Sequence, residues 1–264
     1  MKLFHFIKNK IRNKNYHSKL LTDNLDLLKW NMLTQRQEEI LKRLIEDYIK
    51  LARPISSEFF EKRHKLKISP PTIRLEFQKL TRQGFLEKPH ISAGRIPTDK
   101  AYRYFVDNFL EEKIFEIEKL INREINEELK LLQILVRNLA QISKSLILGY
   151  IKKEKMIFKE GWEEVLKEPE FLDKGCVFRF LDFLEEFERE IGGLRLNSSI
   201  KIYIGKENPF KKGKDFTLII SKLRILNRDG IFALCGPKRM DYNKNIGLIK
   251  SVKRYFEKLC QRKS

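Results

Sequence analysis

The chain has 264 residues, 42% of them hydrophobic and 34% charged, with a formal net charge of +19 at pH 7. Such a basic excess favours polyanions, nucleic acid first and an anionic membrane surface second, and exceeds what an acidic small-molecule substrate needs. Cys176, Cys235 and Cys260 are too few and too scattered for a disulfide framework or a zinc site, and no apolar run reaches the roughly 18–20 residues of a membrane span. The expectation is a cytoplasmic protein of two domains with no metal and no cofactor.

Residues 1–32 read as a basic N-terminal extension. Leu3, Phe4, Ile7 and Ile11 fall near helical spacing among lysines, which describes either a membrane-surface helix or a mobile arm that adds affinity for phosphates. The arm is the preferred reading, because eleven residues carry a weak amphipathic signal. Met32 opens a third possibility, that residues 1–31 are not translated at all.

Thr34-Gln35-Arg36-Gln37 has the form of a capping box, and Ile40, Leu41, Leu44, Ile45 and Tyr48 follow at helical spacing. Arg53-Pro54 ends that helix, and Ser56 or Ser57 caps a short second one to about His64. A third starts at Ser69, with Pro70 in the favoured first turn and Gly84 at the end. Phe85 to Pro97 then carries two short strand-like runs around a glycine-containing turn.

Three short helices followed by a hairpin form the winged helix-turn-helix pattern, in which the third helix enters the major groove. At about 100° per residue, Ile73, Phe77 and Leu80 share the inward side of that helix. Arg74, Leu75, Gln78, Lys79 and Arg82 fall opposite, with Ser69 and Thr72 at the first turn. The wing contributes Lys88, His90, Ser92 and Arg95, suited to phosphates or a narrow minor groove. Basic residues on an exposed helix face are more often a solvated face; the ordered cap, proline start, glycine stop and basic wing favour DNA.

From Thr98-Asp99 another helix begins, and apolar residues then recur every three or four positions from Ile114 to Leu146. Residues 111–150 therefore read as a long linking helix, with Ile114, Ile117, Ile121, Ile125, Leu129 and Leu132 as dimerisation candidates. Residues 151–264 read as an α/β domain. It comprises a helix over roughly 173–190, a strand in SIKIYIG, a hairpin from DFTLIISKLRIL to IFALCGP about an Asn-Arg-Asp-Gly turn, and a last helix from about Asn243 to Cys260. In GPKRMDY, Lys238 and Arg239 could hold an anion, but a Gly-Pro turn into a helix explains the first two residues without a ligand.

LTQRQEEILKRLIEDYI and ISPPTIRLEFQKLTRQGFLEKPHISAGRIPTDKAYRYFVDNFL resemble the bacterial heat-inducible transcription repressor HrcA family over nearly all of 33–110. PHISAGRIPTDKAYRYFVD is the most specific stretch, and LKEPEF (166–171), IGKEN (204–208) and GPKRMDY (236–242) resemble later landmarks in the family's order. The resemblance implies an α+β, helix-rich chain: a winged helix over 33–110, the long linking helix, and a truncated GAF-like α/β domain. It also implies a homodimeric repressor of heat-shock genes, bound to an inverted-repeat operator of double-stranded DNA, with the chaperonin as a partner and no membrane.

Two departures from that family stand out. Leu75 replaces the Asn usual in its recognition helix, and either touches a thymine methyl or packs on the wing or the arm. Between AQISKSLILGY and IFKEGWEEVL a block is missing that in the family holds the first strands of the sheet and a dimerisation element. A sheet of about three strands is therefore expected, and the stripe from 114 becomes the candidate dimer contact. A rival reading is a chaperone- or ligand-sensing interaction module with only non-specific DNA affinity. An enzyme is the weakest, because His5, His17, His64 and His90 form no nucleophile–base or metal-ligand spacing and 151–264 has no histidine.

Overall fold

The computed structural model describes residues 33–65, 68–90, 93–111, 113–120, 128–197, 200–225 and 228–262. The expected arm, residues 1–32, lies outside them. Helix α1 (Gln35–Leu51) begins with the capping box read in the sequence: the Gln37 amide donates to Thr34 Oγ1 at 3.3 Å, and the Thr34 amide donates to Gln37 Oε1 at 3.1 Å. Helix α2 (Ser57–His64) is capped by Ser56, whose Oγ accepts from the Phe59 amide at 3.1 Å. Helix α3 (Pro70–Arg82) starts on its two prolines. Gly84 follows it at φ 77°, a left-handed backbone that a side chain disfavours.

The wing is β1 (Leu86–Glu87) paired antiparallel with β2 (Ile96–Pro97), Leu86 facing Pro97. A third strand position was hidden from the sequence. Ile55, in the stretch that breaks α1 from α2, exchanges both backbone hydrogen bonds with Arg95 at 2.9 and 2.8 Å. Helix α4 (Asp99–Asn108) then follows, capped by Thr98.

The described residues of 111–150 do not form a single long helix. Residues 113–116 are irregular, 117–120 form one 3₁₀ turn, α5 spans Glu128–Ser143, and the chain then enters strand β3 (Leu146–Ile151). The reason is tertiary. LILGYI is a short, continuous apolar run, which periodicity cannot assign between a buried helix and a central strand. It pairs with β4 (Met156–Glu160) on one side and with β7 (Arg228–Pro237) on the other.

Among the described residues the sheet consequently has five strands, not about three. All neighbours are antiparallel, in the order β4-β3-β7-β6-β5, with β5 at Lys201–Ile204 and β6 at Phe216–Ile225. The β6–β7 hairpin is as expected, but pairing runs up to Ile225 opposite Arg228, so Arg228, Asp229 and Gly230 belong to the strand rather than to a turn.

Strand alternation divides the core into two layers. Ile147, Ile151, Ile219, Leu223, Phe232 and Leu234 face α5 and the last helix, α8 (Tyr242–Arg262), in one apolar cluster that continues into the winged helix. Leu146, Leu148, Leu218, Ile220, Ile231 and Ala233 face the other way. They meet the phenylalanines of α7 (Lys174–Glu190), which follows the short helix α6 (Trp162–Leu166). Gly149 of β3 lies against Val136 and Leu132 of α5. No described helix is long and apolar enough to cross a membrane.

Candidate nucleic-acid interface

Helix α3 buries Ile73, Phe77 and Leu80, as the helical spacing requires. Glu76 is buried too. Its carboxylate accepts from Gln37 Nε2 of α1 at 3.0 Å and from Lys79 Nζ at 3.0 Å. The helix's one carboxylate is thus turned away from solvent, where it would oppose a phosphate chain, and used to anchor α3 on α1.

The opposite face is open. Arg74, Leu75, Gln78, Lys79 and Arg82 are all exposed, and Ser69 and Thr72 join hydroxyls at 3.0 Å at the helix start. Arg74 makes a loose pair with Glu58 of α2 at 3.6 Å, and both side chains are well solvated. Leu75 is 57% exposed, so it does not pack on the described part of the wing. The face presents cations, an amide and one apolar tip: the groups that contact phosphates, base edges and a thymine methyl.

The wing divides its expected residues. Lys88 and His90 are exposed, and Ser92 lies outside the described residues. Arg95 is not a free finger. Its Nε donates to Thr81 Oγ1 at 3.1 Å while Thr81 donates to Phe77 O at 2.7 Å, so it ties the wing to the end of α3. Gly94 explains the Ala-Gly-Arg sequence: a Cβ there would sit 2.3 Å from the Ile55 carbonyl carbon and 2.7 Å from the Ser56 amide nitrogen. Only glycine lets the wing approach the α1–α2 connection this closely.

Buried Asp47 of α1 was not singled out in the sequence. It accepts from Arg63 Nε at 2.7 Å and contacts His64 Nε2 at 2.6 Å, holding α2 in place beneath α3. Nothing in local sequence joins positions sixteen and seventeen residues apart.

Two residues of the expected dimerisation stripe are consumed inside the chain. Ile117 and Leu132 are buried in the shared core, whereas Ile114 is 78% exposed. Ile121, Ile125 and the side chain of Leu129 lie outside the described residues. At the described positions Ile117 and Leu132 are therefore not a free face: the period through α5 arises from its packing on the sheet.

Lys238 and Arg239 are not open anion ligands. Arg239, 7% exposed, donates to Glu170 at 2.7 and 2.9 Å and to Glu168 at 2.5 Å, and Lys238 Nζ donates to Asp99 at 2.7 Å. Burial opposes the Arg239 charge, but the two carboxylates outweigh it and hold its pKa above the ordinary value. A recess of about 370 Å³ lies alongside, lined in part by Lys50, Lys144, Asp241 and Lys244. Desolvation keeps the Lys244 ammonium below its usual pKa, with Asp241 opposing the shift and Lys144 adding to it.

Comparison with known proteins agrees with this geometry. A family model described as the winged helix-turn-helix transcription repressor, HrcA DNA-binding, matches residues 32–109, and the HrcA protein C terminal domain matches 81–246. The heat-inducible transcription repressor HrcA of Natranaerobius thermophilus is 27% identical over 328 aligned positions, covering 83% of this chain and 95% of the relative. That alignment is longer than the chain itself, so the relative carries residues that this chain lacks. The repressor of the same name from Halalkalibacterium halodurans is 53% identical over 79 residues, 30% of this chain and 23% of the relative. A crystal structure of a hypothetical protein shares the fold at a TM-score of 0.67 and 17% identity, covering 86% of this chain and 98% of that one. The chain belongs to the HrcA family of heat-inducible transcription repressors, a family of DNA-binding proteins and not of enzymes.

Proposed function

We propose that the chain represses chaperone genes by binding an inverted-repeat operator as a homodimer, with α3 in the major groove and the wing along the adjacent backbone. The observation that carries this reading is the α3 surface. Arg74, Leu75, Gln78, Lys79 and Arg82 stand out together beside Lys88 and His90, while Glu76 is folded under. Phosphate contacts from Lys79, Arg82 and Lys88 set the register; Arg74 and Gln78 read base edges. A two-fold dimer matches a palindromic site half by half.

The dimer contact lies on the C-terminal domain, where Leu166, Leu172, Phe178 and Leu181 are exposed within one short stretch. The chaperonin is the heat-sensing partner that family membership suggests, and the site of action is the nucleoid in the cytoplasm. Nuclease footprinting of the full chain on DNA upstream of the organism's chaperone genes tests the reading. Protection symmetric about an inverted repeat is expected; protection spread evenly along the fragment would count against it.

A further inference from the structure

The three C-terminal landmarks LKEPEF, IGKEN and GPKRMDY meet at one place, the seam between the winged helix and the C-terminal domain. Consecutive residues grip two different helices of the winged helix. Arg239 Nη1 donates to the Ile49 carbonyl near the end of α1 at 2.6 Å, while its other nitrogens hold Glu168 and Glu170. Lys238 holds Asp99 in the first turn of α4 at 2.7 Å.

IGKEN closes the α4 side. Asp99 also accepts from the Lys206 amide at 3.0 Å, and Arg103 of α4 donates to Glu207 and, at 2.6 Å, to the Ile202 carbonyl of β5. Gly205 has φ 53°, and a Cβ there would lie 2.1 Å from the Asp99 carboxylate, so the approach requires glycine. Between the two grips, the rings of Tyr102 and Tyr242 pack at 5.7 Å, both buried. A third line follows the connection after α4: the Glu111 amide donates to Asn243 Oδ1 and the Phe115 amide to Ser251 Oγ, each at 3.0 Å, across α8.

One attachment would leave a hinge; attachments at α1, at α4 and along the connection after α4 oppose it. Helix α3 shares the core with α1 and is bonded to it through Gln37 and Glu76, so its direction is fixed by the same seam. We infer that Arg239 and Asp99 are positioning residues that set the angle of the recognition helix against the C-terminal domain, and thereby the half-site spacing a dimer accepts. This inference rests on the homodimer and operator reading above. The seam residues touch no DNA in that reading. They act only by fixing where two recognition helices stand.

The test is a spacing series: full-length chain and operator duplexes whose half-sites are separated by the natural spacing or by one, two or five extra base pairs. Two added base pairs rotate one half-site by about 70° relative to the other. The wild type is expected to lose at least about tenfold in affinity at that step, the cost of one mismatched contact per site. Glu170→Gln and Lys238→Ala loosen the seam while leaving most of its packing, and Arg239→Ala cuts it. All three are measured well below their Tm, with circular dichroism to show that they are folded. A flattened spacing profile with unchanged affinity for an isolated half-site is expected. A variant that loses affinity yet keeps the wild-type profile would overturn the inference, since a purely structural role predicts that. A wild type that discriminates operator from scrambled DNA but ignores spacing would overturn it too, and leave specific DNA binding standing. Absence of any discrimination would remove the operator reading, and the inference with it.

Discussion

At the scale of single residues, the proposed interface assigns sequence reading to Arg74 and Gln78 and phosphate holding to residues such as Lys88. Arg74 and Gln78 are exposed near the start and middle of the helix and can reach base edges. Replacing either with alanine is expected to reduce the preference for operator over scrambled DNA, by about 1–3 kcal/mol per true base contact. Lys88→Ala is expected to weaken both DNAs alike and to lower the salt slope by about one. Equal, small losses from all three in titrations at several salt concentrations would contradict this placement. Leu75 has a sharper probe, because it can offer a base only an apolar contact. Exchanging thymine for deoxyuridine removes one methyl group. At one position per half-site this should weaken the wild type several-fold and leave Leu75→Ala indifferent. Indifference of both proteins at every thymine would exclude Leu75 from base contact. The outward set was legible by stepping around the helix, since helical geometry alone fixes it. The engagement of Arg95 was not, because it depends on the Ile55 bridge, which brings together positions forty residues apart.

At the scale of elements, local chemistry and tertiary demand explain different parts of the fold. Thr34, Ser56, Pro70 and Gly84 act within their own turns, so the starts of α1, α2 and α3 and the end of α3 could be read directly. The wing is tightly built for its size. Gly94→Ala would press a methyl group against the Ile55–Ser56 backbone and is expected to cost about 1–3 kcal/mol. Thermal melting checks this; an unchanged Tm would mean that the wing does not close on α1–α2. The β3–β4 hairpin went unread because β3 is apolar on both faces, as a strand covered by helices on either side must be. The chain begins its sheet with that hairpin, closed by residues 152–155. On the far side of the sheet, α7 buries Phe180, Phe183 and Phe187 but leaves Phe178 67% exposed. Phe178→Glu combined with Leu181→Glu should convert a dimer to a monomer in sedimentation and weaken operator binding in parallel. An unchanged sedimentation coefficient would move the dimer contact elsewhere.

At the scale of the whole molecule, a charge of +19 guarantees affinity for any nucleic acid at low salt, so affinity alone says little about function. What distinguishes a repressor is the arrangement: Glu76 is withdrawn from the exposed face of α3, and Arg239 in the seam is held by Glu168 and Glu170. The seam was invisible in the sequence except as three short landmarks, because its partners stand 69 to 190 positions apart. The measurement that bears most directly on the central claim is fluorescence anisotropy at ~0.15 M salt, where the non-specific background is reduced. One probe is the inverted repeat upstream of the organism's chaperone genes, and the other is its scrambled counterpart. The expected result is a preference of about 10³-fold or more for the repeat. Equal affinity for the two probes would contradict specific repression and leave a basic winged-helix protein that holds DNA without reading it.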